Sequence, residues 1–193
     1  MGLLIFLAIF VVILIWGIMV RNNIVRYFNA TKRAWSEVAN FERQKVKTLE
    51  TLERTLAEYT QFEKSTLEKV TELRQQILNL NLKDADIGQL QHIEKLNTDL
   101  MKSLSVVVEN YPELKADQLY LKMMDDIQEQ NENVGAAITI FNRNVEAFNN
   151  TIQIFPNNLV NSVTLSKKAI RPFSDNLVTQ NFDYRPNFKK IKH

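Results

Sequence analysis

Between Ile24 and Leu80 the chain contains neither glycine nor proline. Chains turn and break regular structure mostly at those two residues, so a stretch this long without either commits to helix. Apolar residues recur through it at Trp35, Val38, Val46, Leu49, Leu52, Leu56, Tyr59, Phe62, Leu67, Val70, Leu73 and Ile77, with gaps mostly of three and four. From Val46 to Ile77 the mean spacing is about 3.4 residues, close to the 3.5 of a coiled-coil seam. The pattern predicts one long helix over 24–80, which at 1.5 Å per residue would reach roughly 85 Å. A compact domain of this size does not need that length. The seam is therefore expected to pair with another helix in a homo-oligomer or with other membrane proteins, through Leu49, Leu52, Leu56, Tyr59 and Phe62. The opposite face carries mixed charge, such as Glu50 and Arg54 at i,i+4, which reads as a solvated surface.

Upstream, residues 3–20 read LLIFLAIFVVILIWGIMV, without a charged or strongly polar side chain, and Arg21 ends the run. Eighteen helical residues rise about 27 Å, enough to cross the hydrocarbon core of a bilayer. A cleaved signal peptide would want a basic start, a shorter apolar core and a small-x-small cleavage site; only Met1 and Gly2 precede the run, and IWGIMVRNN offers no such site. Residues 1–22 are therefore read as a retained single-pass anchor in the cell membrane, with Trp16, Arg21 and Arg26 at the membrane interface. Arg21, Arg26, Lys32 and Arg33 follow the run against a single Glu37, so the positive-inside rule puts the N-terminus outside and the helical domain in the cytoplasm.

Past the long helix, NLKDADIGQL marks a break with Asp84 or Asp86 available as an N-cap. A second helix runs to about Val108 on a stripe of Ile87, Leu90, Ile93, Leu96, Leu100 and Leu104. ENYPELKAD makes the next turn, with Pro112 at a first helical position. A third helix is expected from about Glu113 to Ile154, stopped by Phe155-Pro156, and a short fourth from about Asn158 to Ile170. The fold class is all-α: an N-terminal transmembrane helix followed by a long-helix antiparallel bundle over 23–172, with an irregular C-terminal tail over 173–193.

Composition narrows the chemistry. Among 193 residues there is no cysteine, which removes disulfides, thiolate metal sites and cysteine catalysis, and the two histidines, His92 and His193, speak against a histidine-rich metal centre or a Ser-His-Asp triad. A net charge of +2 with interspersed signs gives no case for nucleic acid. Asp84, Asp86 and His92 are better explained by capping and a solvated turn than by a metal, Met123-Met124 by core filling. Lys189, Lys190 and Lys192 read as a solvated end. Glu132 and Glu146 are not singled out from 22 acidic residues as catalysts. No cofactor is expected.

The third helix carries an unusual number of asparagines. On a wheel at 100° per residue, Val134, Ala137, Ile138, Phe141, Val145, Phe148, Ile152 and Phe155 form an apolar stripe. Asn131, Asn142 and Asn149 lie along one edge of it, Asn133 and Asn144 along the other, and Asn150 points away. Amides at such an edge can bond to a neighbouring helix and fix its register, and Asn142 and Asn149 are the candidates for that role. Gly135, near the same edge, would permit a close approach. A polar ligand groove is the competing reading.

Several blocks resemble the LemA proteins of bacterial membranes: the apolar anchor; RNNIVRYFNATKRAWSEV (21–38); YTQFEKSTLEKVTELR (59–74); YPELKADQLYLKMMDDIQEQNENV (111–134); FNRNVEAFNNTIQIFPNNLV (141–160); and RPFS followed by YRPNF. Residues 39–56, ANFERQKVKTLETLERTL, depart from that family's basic run and Leu-Ile-Pro-Asn-Leu segment, and Ile138 stands where the family commonly has arginine. The resemblance implies a single-pass membrane protein with a soluble helical bundle, brings no catalytic residues, and leaves the activity open. The expectation is a non-enzymatic scaffold or adaptor that self-assembles or docks partners on the lipid bilayer; the alternative is a ligand or signal sensor using a polar groove between the helices.

Overall fold

The computed structural model describes residues 1–58 and 64–174. These residues form α1 (Gly2–Glu58), α2 (Lys64–Asn79), α3 (Ile87–Asn110), α4 (Pro112–Lys115), α5 (Gln118–Gln153) and α6 (Asn157–Thr164), with no strand among the described residues. The 57 residues of α1 span about 85 Å. The helix changes character once. Through residue 16 every side chain is exposed, whereas from Ile24 onward one face is buried. No break separates the two parts, so the apolar run and the first bundle helix are one rod.

The four long helices alternate in direction. Glu53 meets Thr71 and Arg74, and Arg43 reaches the carbonyls of Leu78 and Leu80, so α2 runs back along α1. Lys69 Nζ donates to Ser103 Oγ and Gln89 Nε2 to the Gln76 carbonyl, which reverses direction again at α3. α5 returns along α1 in a constant register: Phe28 stacks against Phe148, Thr31 donates to the Asn144 carbonyl, Trp35 lies against Phe141, and Lys45 reaches Asn131. The expected single helix over 24–80 is therefore corrected to two antiparallel helices. Period alone could not decide this, because a stripe spaced at 3.4–3.6 residues serves a helix folding back on its own chain as well as one meeting another chain. Leu49, Leu52 and Leu56 are fully buried inside the bundle, packed with residues of α2, α3 and α5. Tyr59 and Phe62 lie outside the described residues.

The ends are set by local chemistry. Asp86 caps α3, its Oδ1 accepting the Gln89 amide at 2.9 Å. Ile87, Leu90, Ile93, Leu100 and Leu104 are buried as the stripe implies. The expected helix over 113–154 is split: α4 is a single turn beginning at Pro112, and Asp117 restarts the chain by accepting the amides of Leu119 and Tyr120. α6 is shorter than expected. It ends at Thr164, after which Ser166 takes a left-handed backbone at φ 49°, unfavourable for a non-glycine residue, and residues 166–174 run without helix or strand.

Candidate functional site

Why residues 166–174 leave the helical pattern is explained by three asparagines. Asn149 Nδ2 donates to the Ile170 carbonyl at 2.8 Å while its Oδ1 accepts the Ile170 amide at 2.9 Å. Asn142 holds Phe173 the same way, at 2.9 and 2.8 Å. Asn161 holds Lys167, at 2.9 and 3.1 Å. The two ends of each amide are thus matched to both main-chain groups of one residue, and the residues held are 167, 170 and 173. Asn142 and Asn149 sit two turns apart on α5, about 10 Å, a distance that three residues cover only when extended. Ile170 and Phe173 meanwhile turn their side chains into the core, Lys167 Nζ lies 3.9 Å from the Phe28 ring centre, and Gln91 Nε2 donates to the Ser174 carbonyl.

Asn142 and Asn149 therefore bind an extended segment rather than a neighbouring helix. Asn131 does reach another helix, accepting from Lys45 Nζ at 3.0 Å, and Asn144 bonds within its own helix to Ile140. A Cβ added at Gly135 would meet nothing within 4 Å among the described residues, so none of them makes a close approach there. Thr139, Asn142, Arg143, Glu146, Asn149, Asn150, Gln153 and Pro172, with Val145, line an open groove of about 640 Å³ between α5 and the extended segment. Asn150, exposed on α5, belongs to that polar lining.

A second polar group lies inside the bundle. Glu42 and Lys45, both fully buried, pair at 2.9 Å, with the ammonium also reaching Asn131. Burial pushes the Glu42 carboxyl up from 4.5 to about 8, the Lys45 ammonium opposing and the Glu94 carboxylate of α3 reinforcing the shift. Gln130 donates to Thr48 one turn further along, while the buried Glu94 Oε1, Asn97 Oδ1 and Gln130 Oε1 have no hydrogen-bond partner among the described residues. The sequence held a signal for this layer. Trp35, Val38, Glu42, Lys45, Leu49, Leu52 and Leu56 follow one another at alternating gaps of three and four, so two charged residues occupy seam positions. Asn161 carried no comparable signal, because its role depends on where the chain goes after α6.

The other candidates resolve simply. Asp84 forms an exposed ion pair with Lys32 at 3.3 Å, Met123 is core, and Glu132 accepts from Gln128. Lys189, Lys190 and Lys192 lie outside the described residues. No cluster of three or more metal-ligating side chains occurs among the described residues. Trp16 and Arg26 line one open groove of about 530 Å³ on α1, and Arg26 donates to Asn23 at 2.6 Å; Arg21 is exposed.

The described residues thus define an all-α bundle continuous with one helix long and apolar enough to cross a membrane. The chain belongs to the LemA family, whose profile matches residues 34–186. It is also similar to the Protein LemA of Metamycoplasma hominis, 29% identical over 140 residues that make up 72% of this chain and 63% of that protein. The chain spans less than two thirds of that relative's length.

Proposed function

We propose that this protein is a non-enzymatic, membrane-anchored scaffold or adaptor that docks membrane proteins or further copies of itself at the cell membrane, with its bundle on the cytoplasmic side. The observation that carries this reading is the unbroken α1. A rod running from the apolar segment into the bundle core holds the bundle at a fixed height and attitude over a lipid surface, which a flexible linker would not do. Because Leu49, Leu52 and Leu56 are committed inside the chain, association is expected through other faces than that seam.

The reading is tested with the full chain in nanodiscs. Alkaline carbonate should leave the protein in membranes, and light scattering at micromolar concentration should give more than one copy per disc. Extraction by carbonate would remove the anchor; a strict monomer would remove self-assembly and leave docking of other proteins.

The groove beside Asn142 and Asn149 favours a second reading, a sensor of a small polar ligand, since Arg143, Glu146, Asn150 and Gln153 offer charge of both signs and amides. Unchanged melting of the full chain across panels of small polar metabolites would count against it.

A further inference from the structure

α6 is built inside out. Its buried position is Asn161, while Leu159 and Val163, four residues apart and hence on one line of the helix, are 56% and 84% exposed, and Ile154 and Phe155, exposed at 59% and 73%, precede them in the turn that leads into α6. In water such a stripe is unfavourable, so its location decides what covers it.

The α1–α5 register supplies the location. Ile152 and Phe148 pack with Ile24, and Val20, Tyr27, Phe28 and Leu165 close the same small cluster. Continued past Ile152, the register brings Ile154 and Phe155 level with residues 21–22, where the apolar run of α1 stops. α6 packs against both α1 and α5 at this end. Charge agrees with height. Arg21 and Arg26 are exposed at and just beyond this level, Lys167 is held over Phe28, about 10 Å beyond Arg21 along α1, and Lys168 and Arg171, which flank the Asn149-held Ile170 in the same segment, are exposed as well. Apolar side chains at the end of a spanning helix, ringed by cations from two distant parts of the sequence, match the boundary between acyl chains and anionic headgroups.

We infer that residues 154–164, the Ile154–Pro156 turn and α6, form an interfacial membrane anchor: Phe155, Leu159 and Val163 enter the bilayer beside α1, and the surrounding cations meet anionic headgroups. The inference rests on residues 3–20 spanning the membrane. It adds a second contact with the bilayer, one that prevents the bundle from tilting about α1. The asparagines act with it: Asn161 folds Lys167 back onto α6 itself, and Asn149 and Asn142 tie Ile170 and Phe173 to α5.

The absence of cysteine permits a direct test. Single cysteines at Phe155, Leu159, Val163, Ile13 and Leu121 are labelled with an environment-sensitive fluorophore in the full chain, in phosphatidylcholine vesicles containing phosphatidylglycerol. Leu121, exposed at the start of α5, serves as the aqueous reference. The inference expects the Leu159 and Val163 probes to emit at shorter wavelength than the Leu121 probe. Nitroxides placed shallowly in the acyl chains should quench them several-fold more than the Leu121 probe, with deep nitroxides quenching Ile13. Probes at Phe155, Leu159 and Val163 that behave like Leu121 while Ile13 is quenched would overturn the interfacial anchor and leave the span standing. An Ile13 probe accessible only to aqueous iodide would overturn the span and the inference with it. Three independent sites keep the result readable if one labelled variant fails to fold, which circular dichroism reports.

Discussion

Asn149 holds both main-chain polar groups of Ile170, donating to its carbonyl at 2.8 Å and accepting its amide at 2.9 Å, across 21 residues of sequence. The amide side chain does for Ile170 what a partner strand would do, and Asn142 repeats the arrangement at Phe173.

Replacing Asn142 and Asn149 together by leucine strands four partly buried main-chain groups. Each unmade bond of this kind costs about 1 kcal/mol or more. The double variant should keep its helix content but lose a few kcal/mol of stability, and the amides of Ile170 and Phe173 should exchange with solvent far faster. Unchanged exchange at Ile170 and Phe173, read by hydrogen-exchange mass spectrometry, would contradict the clasp.

Glu42 gives the bundle a pH dependence. Its carboxyl titrates near 4.5 when unfolded and at about 8 when folded, so between those values the native state binds more protons than the unfolded one. Its contribution is full below about 4.5 and falls away as pH rises through 8. Urea titrations at pH 5, 7 and 9 should show Glu42→Gln losing less stability over this range than the parent chain. Parallel curves for the two proteins would rule the shift out.

Gly135 is exposed in the middle of α5 with open space where a Cβ would stand. Gly135→Ala should therefore raise stability by about 1 kcal/mol, the helix-propensity difference. A lower melting temperature would mean that something approaches this face.

Leu52 is fully buried within the chain. Leu52→Ala should cost about 2–5 kcal/mol. If the seam is used within one chain, that loss is independent of protein concentration and leaves the size in detergent unchanged. A loss that shrinks on concentrating the protein would restore the intermolecular seam.

Much of this protein could be read from its residues. Helices follow from the spacing of apolar side chains and from the scarcity of glycine and proline, and both are local properties. The apolar run of residues 3–20 and the start at Pro112 are equally local, while the choice of Asp86 over Asp84 as the cap came from the structure. Tertiary structure alone decided which partner each face has. The stripe over 46–77 is identical whether its partner is another chain or the same chain folded back; in the folded chain Leu49, Leu52 and Leu56 are buried in one core with residues of α2, α3 and α5, so the stripe is used within the chain. The asparagine edge of α5 was visible on a wheel, yet an amide bonds equally well to a helix or to an extended main chain. Only the path taken after Ser166 shows that it holds Ile170 and Phe173. Periodicity fixes which side of a helix is apolar; what lies against that side is set by contacts between residues far apart in the chain.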